Sequence, residues 1–296
     1  MLPVHRARGI EAHYQGEATM TGMNEQHGSR KSQQGEPTMT TNNETHQGRA
    51  GRDFYRTTAR VVGLVYLAGF VVGIGGDALL RPLLGAPNRL AVVSASSMTL
   101  AIAAILWLMT VIGDAAHGVL MYPILKRYHE RIAAGYLAAR IMDAVFITIM
   151  VLLILFQIPL ANAYVQTAAS DSLALQALST VLIAAKQYAY QIGMSTLGVS
   201  GLMLCFTLLR ARLIPRVLAI WGLVGYGIIF VGMLAEIAGL GLGVDLASAL
   251  PGGLWEVFMG VWLLAKGFRA SPVPQGRTTA STTSIMTSPD VGSATT

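Results

Sequence analysis

The sequence predicts an all-helical integral membrane protein, a bundle of about six transmembrane helices with both termini in the cytoplasm. Three observations lead to this fold class. Hydrophobic residues make up 53% of the 296 residues and charged residues only 12%, whereas a soluble domain carries about a quarter charged residues. The mean hydropathy of the chain is +0.53. Apolar stretches long enough to cross a bilayer occupy most of the chain from Val61 to Phe268.

Two polar tails flank the predicted membrane domain. Residues 1–53 are rich in Gly, Thr, Gln and Asn, and residues 270–296 are rich in Ser, Thr, Pro and Gly. Segments of this composition bury too little apolar surface to offset the entropy lost on ordering. Both tails are therefore predicted to be disordered, and residues 54–269 are predicted to form the six-span transmembrane domain.

Charged residues and prolines divide the domain into its spans. Proline cannot continue a helix, so the first span ends before Arg81-Pro82 and the third before Pro159. The second and third spans form a hairpin that turns at residues 126–131. The sixth begins at Pro251, because proline is favoured at the first position of a helix. The predicted spans are 61–80, 98–125, 132–158, 187–209, 217–242 and 251–268.

Two further segments precede the second and fourth spans. Residues 88–97 and 171–186 are apolar or mixed in composition and border the predicted outer side of the membrane. We expect them to be helix extensions or interfacial turns.

The positions of the basic residues give the orientation. The net charge is +6, but the Lys and Arg residues lie at the ends of spans and form no stripe with aromatic residues, so no nucleic-acid partner is predicted. Basic residues concentrate on the cytoplasmic side of membrane proteins. One side carries Arg49, Arg52, Arg56, Arg60, Lys126, Arg127, Arg131, Arg210, Arg212, Arg216, Lys266 and Arg269. The other side carries Arg81, Arg89 and Lys186.

Three stretches of the chain carry a family resemblance. They are residues 54–84 (FYRTTARVVGLVYLAGFVVGIGGDALLRPLL), 209–226 (LRARLIPRVLAIWGLVGY) and 255–268 (WEVFMGVWLLAKGF). They resemble the bacterial multi-pass membrane family called domain of unknown function 4386, and the similarity covers nearly the whole membrane region. The resemblance implies the multi-pass architecture and a bacterial plasma (inner) membrane. It implies no activity, cofactor or catalytic residue.

Five ionisable residues are predicted to lie near the middle of the bilayer. Each is nine to twelve residues from a basic residue at the cytoplasmic end of its span. At ~1.5 Å per residue this places them ~14 to 18 Å deep, where a charge is expensive and faces protein or water. These residues, predicted to cluster between spans two, three and six, are Asp114, His117, Arg140, Asp143 and Glu256.

A second polar group is predicted near the outer ends of spans one, four and five. It consists of Asp77, Lys186 and Glu236.

Two interpretations of the midplane cluster remain open. Three carboxylates against one arginine give a negative formal charge, so either a carboxyl group is protonated or a cation is present. This favours a site for a small ligand, ion or proton. Alternatively, Arg140 with Asp143 or Glu256 is a buried ion pair that fixes helix packing in a structural or partner-binding module. Asp114-x-x-His117 offers two metal ligands on one helix face, a weaker hypothesis, and no metal or cofactor is predicted.

One motif raises an enzymatic alternative. Gly198-Val199-Ser200-Gly201 resembles the GxSG motif of rhomboid intramembrane proteases, but those enzymes take a histidine from span six, and this span six has none. Close helix packing explains the small residues equally well, as it does for Gly69-xxx-Gly73 in span one. No catalytic residue is predicted, and an intramembrane hydrolase using Ser200 is the weakest of the alternatives.

Overall fold

The computed structural model describes residues 38–167, 169–240 and 245–269, with side chains from Tyr55 onward except at 169–171, 245 and 246. The parts of the predicted tails at 1–37 and 270–296 lie outside the described residues. The chain divides into two compact units, Met1–Thr45 and His46–Thr296. The site described below belongs to the second unit, as do all the helices except the first residues of α1.

The described residues form eight helices and no strand. Six helical segments are long and apolar enough to cross a membrane, which confirms the all-helical, six-span fold class and suggests a lipid bilayer as its surroundings. These segments are α1, α3, α4 continued by α5, α6, α7 and α8. The helices are α1 (Thr38–Leu84), α2 (Arg89–Ala95), α3 (Ser97–Lys126), α4 (Glu130–Leu155), α5 (Gln157–Gln166), α6 (Ala169–Arg210), α7 (Arg216–Ile237) and α8 (Asp245–Ala265).

Three prolines at which the sequence predicts the ends of spans lie inside helices. Pro82 lies in the last turn of α1, Pro159 in the first turn of α5, and Pro251 inside α8. A proline in a terminal turn interrupts few helical hydrogen bonds, and spanning helices tolerate an internal proline when neighbouring groups satisfy the freed carbonyl. α1 also begins at Thr38, within the tail predicted to be disordered, because extending an existing helix avoids the nucleation step.

The distal end is the end of the bundle at which α1 and α7 finish and α6 and α8 start. The two segments predicted as extensions or turns are helical there. Residues 89–95 form α2, which packs against α5, and residues 171–186 belong to α6. With 42 residues, α6 is ~63 Å long at ~1.5 Å per residue, more than twice the ~30 Å thickness of the hydrocarbon.

Glycines allow the spanning helices to approach closely. A Cβ added to Gly63 in α1 would lie 2.7 Å from the carbonyl oxygen of Gly260 in α8. In α6, a Cβ on Gly198 would lie 2.9 Å from the Cβ of Phe230, and one on Gly201 would clash with ring atoms of Tyr226. Helices in a bilayer associate through such close packing, because burying apolar side chains from lipid gives no hydrophobic gain.

Two apolar cores lie along the bundle, with a polar layer between them. In α3, Leu100 belongs to the distal core and Ile124 to the other, and in α4, Ile147 and Ala133 are divided in the same way. The residues between these positions in both helices include buried charged side chains. This layer contains the predicted midplane cluster.

Candidate functional site

Arg140 is the centre of the polar layer. Its Nη1 lies 2.9 Å from Oδ1 of Asp114 in α3 and 3.6 Å from Oδ2 of Asp143, one turn further along α4. The side chains of Arg140 and Asp143 are only 3% and 2% exposed, whereas Asp114 is 24% exposed. Gly118 makes room for this arrangement, because a Cβ there would lie 3.1 Å from the Cβ of Arg140. The guanidinium therefore has a carboxylate on each side.

His117 is neutral by its hydrogen-bond geometry. Nη2 of Arg140 donates to Nδ1 of His117 at 3.2 Å, and the hydroxyl of Tyr136 lies 2.5 Å from the same nitrogen. An arginine can only donate, so Nδ1 is the acceptor and the ring proton is on Nε2. The ring of Tyr66 from α1 packs beside the imidazole, with the ring centroids 4.4 Å apart. His117 thus joins α1, α3 and α4.

Glu256 reaches the layer from α8. Its Oε1 accepts a hydrogen bond of 2.7 Å from the hydroxyl of Tyr226 in α7. Trp255 lies against the rings of Tyr66 and Tyr226, and its Nε1 donates to the carbonyl oxygen of Leu218 at 2.6 Å. These contacts fix the height of α8 relative to α1 and α7.

A cavity of about 940 Å³ connects the polar layer to the distal part of the bundle. It brings together all five residues of the predicted midplane cluster with two of the three predicted outer residues, Asp77 and Lys186. Glu236 is not among its lining residues. The charged side chains that line the cavity are Asp77, Arg81, Asp114, Arg140, Asp143, Lys186 and Glu256.

The cavity reaches the surface between α1 and α8. Ile74, Leu250 and Leu254 line the cavity, and their exposed fractions are 65%, 52% and 50% respectively. Residues that both line a cavity and lie on the surface form its rim. The backbones of the two helices meet at Gly63 and Gly260, and the ring of Phe70 in α1 lies close to Gly253 in α8, so the opening lies on the distal side of these contacts.

The domain of unknown function DUF4386 matches residues 61–267. The chain belongs to this family. No curated protein and no solved structure matches the chain. Every residue that lines the cavity, from Val65 to Glu256, lies inside the DUF4386 domain.

Gly69 and Gly73 of the DUF4386 domain line the cavity and do not bring helices together, contrary to the expectation of close packing. A Cβ at Gly69 would meet no atom within 4 Å, and one at Gly73 would be 3.8 Å from Oγ1 of Thr110. The glycine that packs α1 against α8 is Gly63. The small residues at 69 and 73 leave space that larger side chains would fill.

Several buried polar atoms beside the cavity have no hydrogen-bond partner among the described residues. They are the hydroxyl of Tyr66, Nε1 of Trp107, Nε2 of His117, Nε of Arg140 and both carboxylate oxygens of Asp143, although Oδ2 of Asp143 is within ion-pair distance of Arg140. Tyr66 is 5% exposed and His117 and Asp143 are each 1% exposed. Buried polar groups are nearly always satisfied in proteins, so these atoms are hydrogen-bonding groups of the cavity wall that the described residues themselves do not use.

Neither the hydrolase nor the metal interpretation gains support from the geometry. The hydroxyl of Ser200 donates to the carbonyl oxygen of Leu197 in its own helix at 2.8 Å, and Gly198 and Gly201 are used for packing against α7. A nucleophilic serine needs a base within hydrogen-bond reach. Among the described residues, no three His, Cys, Asp or Glu side chains are grouped so that they could hold a metal ion.

Aromatic residues that the sequence did not single out complete the site. Tyr66, Tyr136 and Tyr226 contact His117 or Glu256 in the DUF4386 domain, and Trp255 packs between two of them. Tyr136 precedes Arg140 by four residues, which places both on one face of α4. A tyrosine in the middle of a span, away from the interface where tyrosines concentrate, was the available signal.

Proposed function

We propose that this DUF4386 protein binds a small ligand in the cavity, with its polar part at the midplane cluster of Asp114, His117, Arg140, Asp143 and Glu256. The observation that carries the proposal is that an open cavity of about 940 Å³ reaches buried charged groups. Small-molecule sites have volumes of roughly 300 to 1,000 Å³ and are mostly apolar with a few polar groups. A cluster that served only to hold helices together would not need an access route.

The composition of the cavity wall supports the same proposal. Aromatic and aliphatic residues from several helices, among them Phe70, Trp107, Met150 and Leu197, surround the route to the polar layer. Buried charges in a bilayer usually face a ligand pathway or each other. Here they do both, because Arg140 is paired while Asp143 and His117 keep unpartnered atoms beside the cavity.

A structural role for the cluster is the second candidate. The bond between Arg140 and Asp114 joins α3 to α4, and the bond between Tyr226 and Glu256 joins α7 to α8. In this reading the protein is a membrane module that contacts other proteins, and the cavity has no occupant. Filling the cavity would then leave its behaviour unchanged.

The test is to fill the cavity without disturbing the bundle. Gly69→Leu places a side chain into the cavity, and Gly227→Leu is a matched control, because a Cβ at Gly227 also meets no atom within 4 Å but this residue does not line the cavity. Melting temperatures of the wild type and both variants are measured in lipid nanodiscs with twelve-carbon amphiphiles that carry an amine, an alcohol or a carboxylate.

We expect at least one amphiphile to raise the melting temperature of the wild type and of Gly227→Leu but not of Gly69→Leu. A ligand that binds only the folded state stabilises it in proportion to the logarithm of its concentration. If no amphiphile distinguishes the wild type from Gly69→Leu, the cavity is not a site for such ligands and the structural role is favoured.

The proposal includes the setting of the protein. The excess of basic residues at the end opposite the distal end supports an orientation with both termini in the cytoplasm of a bacterial plasma membrane.

A further inference from the structure

We infer that the ligand is a cationic amphiphile, an organic amine with an apolar body, which enters from the bilayer between α1 and α8 and places its ammonium group beside Asp143 and Glu256. This inference rests on the proposed binding function, because it names the chemical class that the same cavity would take.

The charges at the inner wall of the cavity favour a cation. Three carboxylates line this wall, those of Asp114, Asp143 and Glu256, against the single guanidinium of Arg140, and His117 is neutral by its hydrogen bonds. Arg140 already has two of these carboxylates within ion-pair distance. A bound anion would add to the formal negative charge of this wall, whereas a cation would balance it without requiring a carboxyl group to be protonated.

Among the unpartnered atoms the acceptors match the donors of an amine, whereas Nε1 of Trp107, Nε2 of His117 and Nε of Arg140 are donors. Both oxygens of Asp143 are buried and accept no hydrogen bond within the described part of the chain. A third unpartnered oxygen, that of the Tyr66 hydroxyl, belongs to a residue that lines the same cavity. A protonated primary amine has three N–H donors and no acceptor, as a lysine ammonium has. Charge-assisted hydrogen bonds of this kind are about twice as strong as neutral ones.

The size and lining of the cavity exclude a bare metal cation as its full occupant. A volume of about 940 Å³ is that of a drug-sized molecule. Between the rim and the polar layer the wall presents Phe70, Trp107, Ile147 and Met150. These side chains suit an apolar chain or ring system attached to the amine.

The rim indicates the entry route. Ile74 and Leu254 are exposed apolar residues of two spanning helices and lie at the opening. Ile74 is ten residues before the end of α1 and Leu254 is nine residues after the start of α8, which places both ~14 to 15 Å from the distal ends of their helices. Leu250 and the exposed side chain of Arg81 also line the cavity and lie nearer the distal end, so the opening extends from the hydrocarbon toward the distal interface. A molecule that enters here is an amphiphile already dissolved in the bilayer.

The experiment compares three probes that share one chain length. Dodecylamine is protonated at neutral pH, dodecan-1-ol is neutral and dodecanoate is negative. Each is added to lipid nanodiscs that contain the wild type, Gly69→Leu, Gly227→Leu, Asp143→Asn or Glu256→Gln. We expect dodecylamine to raise the wild-type melting temperature by about 5 °C at a hundredfold excess over Kd, and by clearly more than dodecan-1-ol does.

The variants assign the effect to the inner wall. The advantage of the amine over the alcohol should disappear in Asp143→Asn, shrink in Glu256→Gln and persist in Gly227→Leu. Asp143 is fully enclosed, so its replacement carries the larger folding risk, and Glu256→Gln keeps the test valid because Glu256 is only partly buried and an amide oxygen can still accept from Tyr226.

Other outcomes separate this inference from the proposed function. If dodecanoate stabilises the protein more than dodecylamine, Arg140 binds an anion and the cation inference is wrong while the cavity remains a binding site. If all three probes act equally on the wild type and none acts on Gly69→Leu, the cavity binds chains without recognising the head group, which also overturns the inference. If no probe distinguishes the wild type from Gly69→Leu, both proposals fail.

Discussion

Arg140 balances the negative charge of two carboxylates inside the bundle. Its side chain is 3% exposed and lies between the carboxylates of Asp114 and Asp143. Arg140→Gln would leave both carboxylates without their cation, and breaking a buried pair in this way costs about 3 to 5 kcal/mol. We expect that loss in the free energy of unfolding, measured by reversible denaturation in bicelles.

A double variant separates lost pairing from lost packing. Arg140→Gln combined with Asp143→Asn removes a negative charge together with the positive one, so it should be more stable than Arg140→Gln alone. Lys126→Gln is the control, because Lys126 and Glu130 form an exposed pair at the end of α3 and should contribute little. Equal losses in Arg140→Gln and Lys126→Gln would show that the buried pair does not stabilise the bundle.

The glycines of α1 have two different roles along one helix. Gly63 faces the backbone of α8 with no room for a methyl group, whereas Gly69 borders the cavity with open space around it. We expect Gly63→Ala to force α1 and α8 apart and to cost about 1 to 3 kcal/mol, the range for overpacked contacts. Gly69→Ala should cause no loss, since alanine is the better helix former.

Thermal unfolding in nanodiscs compares the two alanine variants directly. A third variant, Gly260→Ala, introduces its methyl group from the opposite side of the same contact, 3.1 Å from the carbonyl oxygen of Gly63. It should resemble Gly63→Ala. If Gly69→Ala were the destabilised one, the close contact between α1 and α8 would lie at the cavity and the described packing would be incorrect.

Element boundaries were predicted less well than the elements themselves. Hydropathy located six spans because the transfer of an apolar residue into lipid is a local property of the sequence. Proline predicts a boundary, and α4 does end at Leu155, ahead of Pro159 in the first turn of α5, whereas α8 continues through Pro251. Whether a helix survives a proline depends on tertiary partners for the freed carbonyl, which composition does not reveal.

The orientation of the whole molecule can be tested with its single thiol removed. Cys205 is fully buried in α6, so Cys205→Ala gives a cysteine-free background. Asn88→Cys places a thiol between α1 and α2 at the distal end, and His129→Cys places one between α3 and α4 at the opposite end, both at exposed positions. In intact bacterial cells a membrane-impermeant maleimide should label Asn88→Cys and not His129→Cys.

Permeabilised cells provide the matched control. There both cysteines should react, since both are exposed in the folded protein. If His129→Cys were labelled in intact cells and Asn88→Cys were protected, the protein would have the opposite orientation in the membrane. The lateral opening between α1 and α8 would then face the inner leaflet.

At the scale of the molecule, the sequence predicts two separate polar groups, whereas residues of both line one cavity. Counting along helices placed Arg140 and Asp143 at the midplane and Asp77 and Lys186 nearer one end. Joining the two groups depends on which helices are neighbours in the bundle and on the space that Gly69 leaves. Neither property can be inferred from the spacing of residues in the sequence. Glu236 matched the others in depth but does not line the cavity.

The pairing of α3 with α4 has a consequence for biogenesis. An arginine or aspartate at the centre of a span costs about 2.5 to 3.5 kcal/mol when the helix enters the membrane by itself. Asp114 and Arg140 lie on adjacent spans joined by only three residues, 127–129, and bond at 2.9 Å. The two spans can therefore enter the bilayer as one hairpin that carries its own counter-charge. A nascent chain released after Gln166 should already integrate stably, before α6, α7 and α8 have been synthesised.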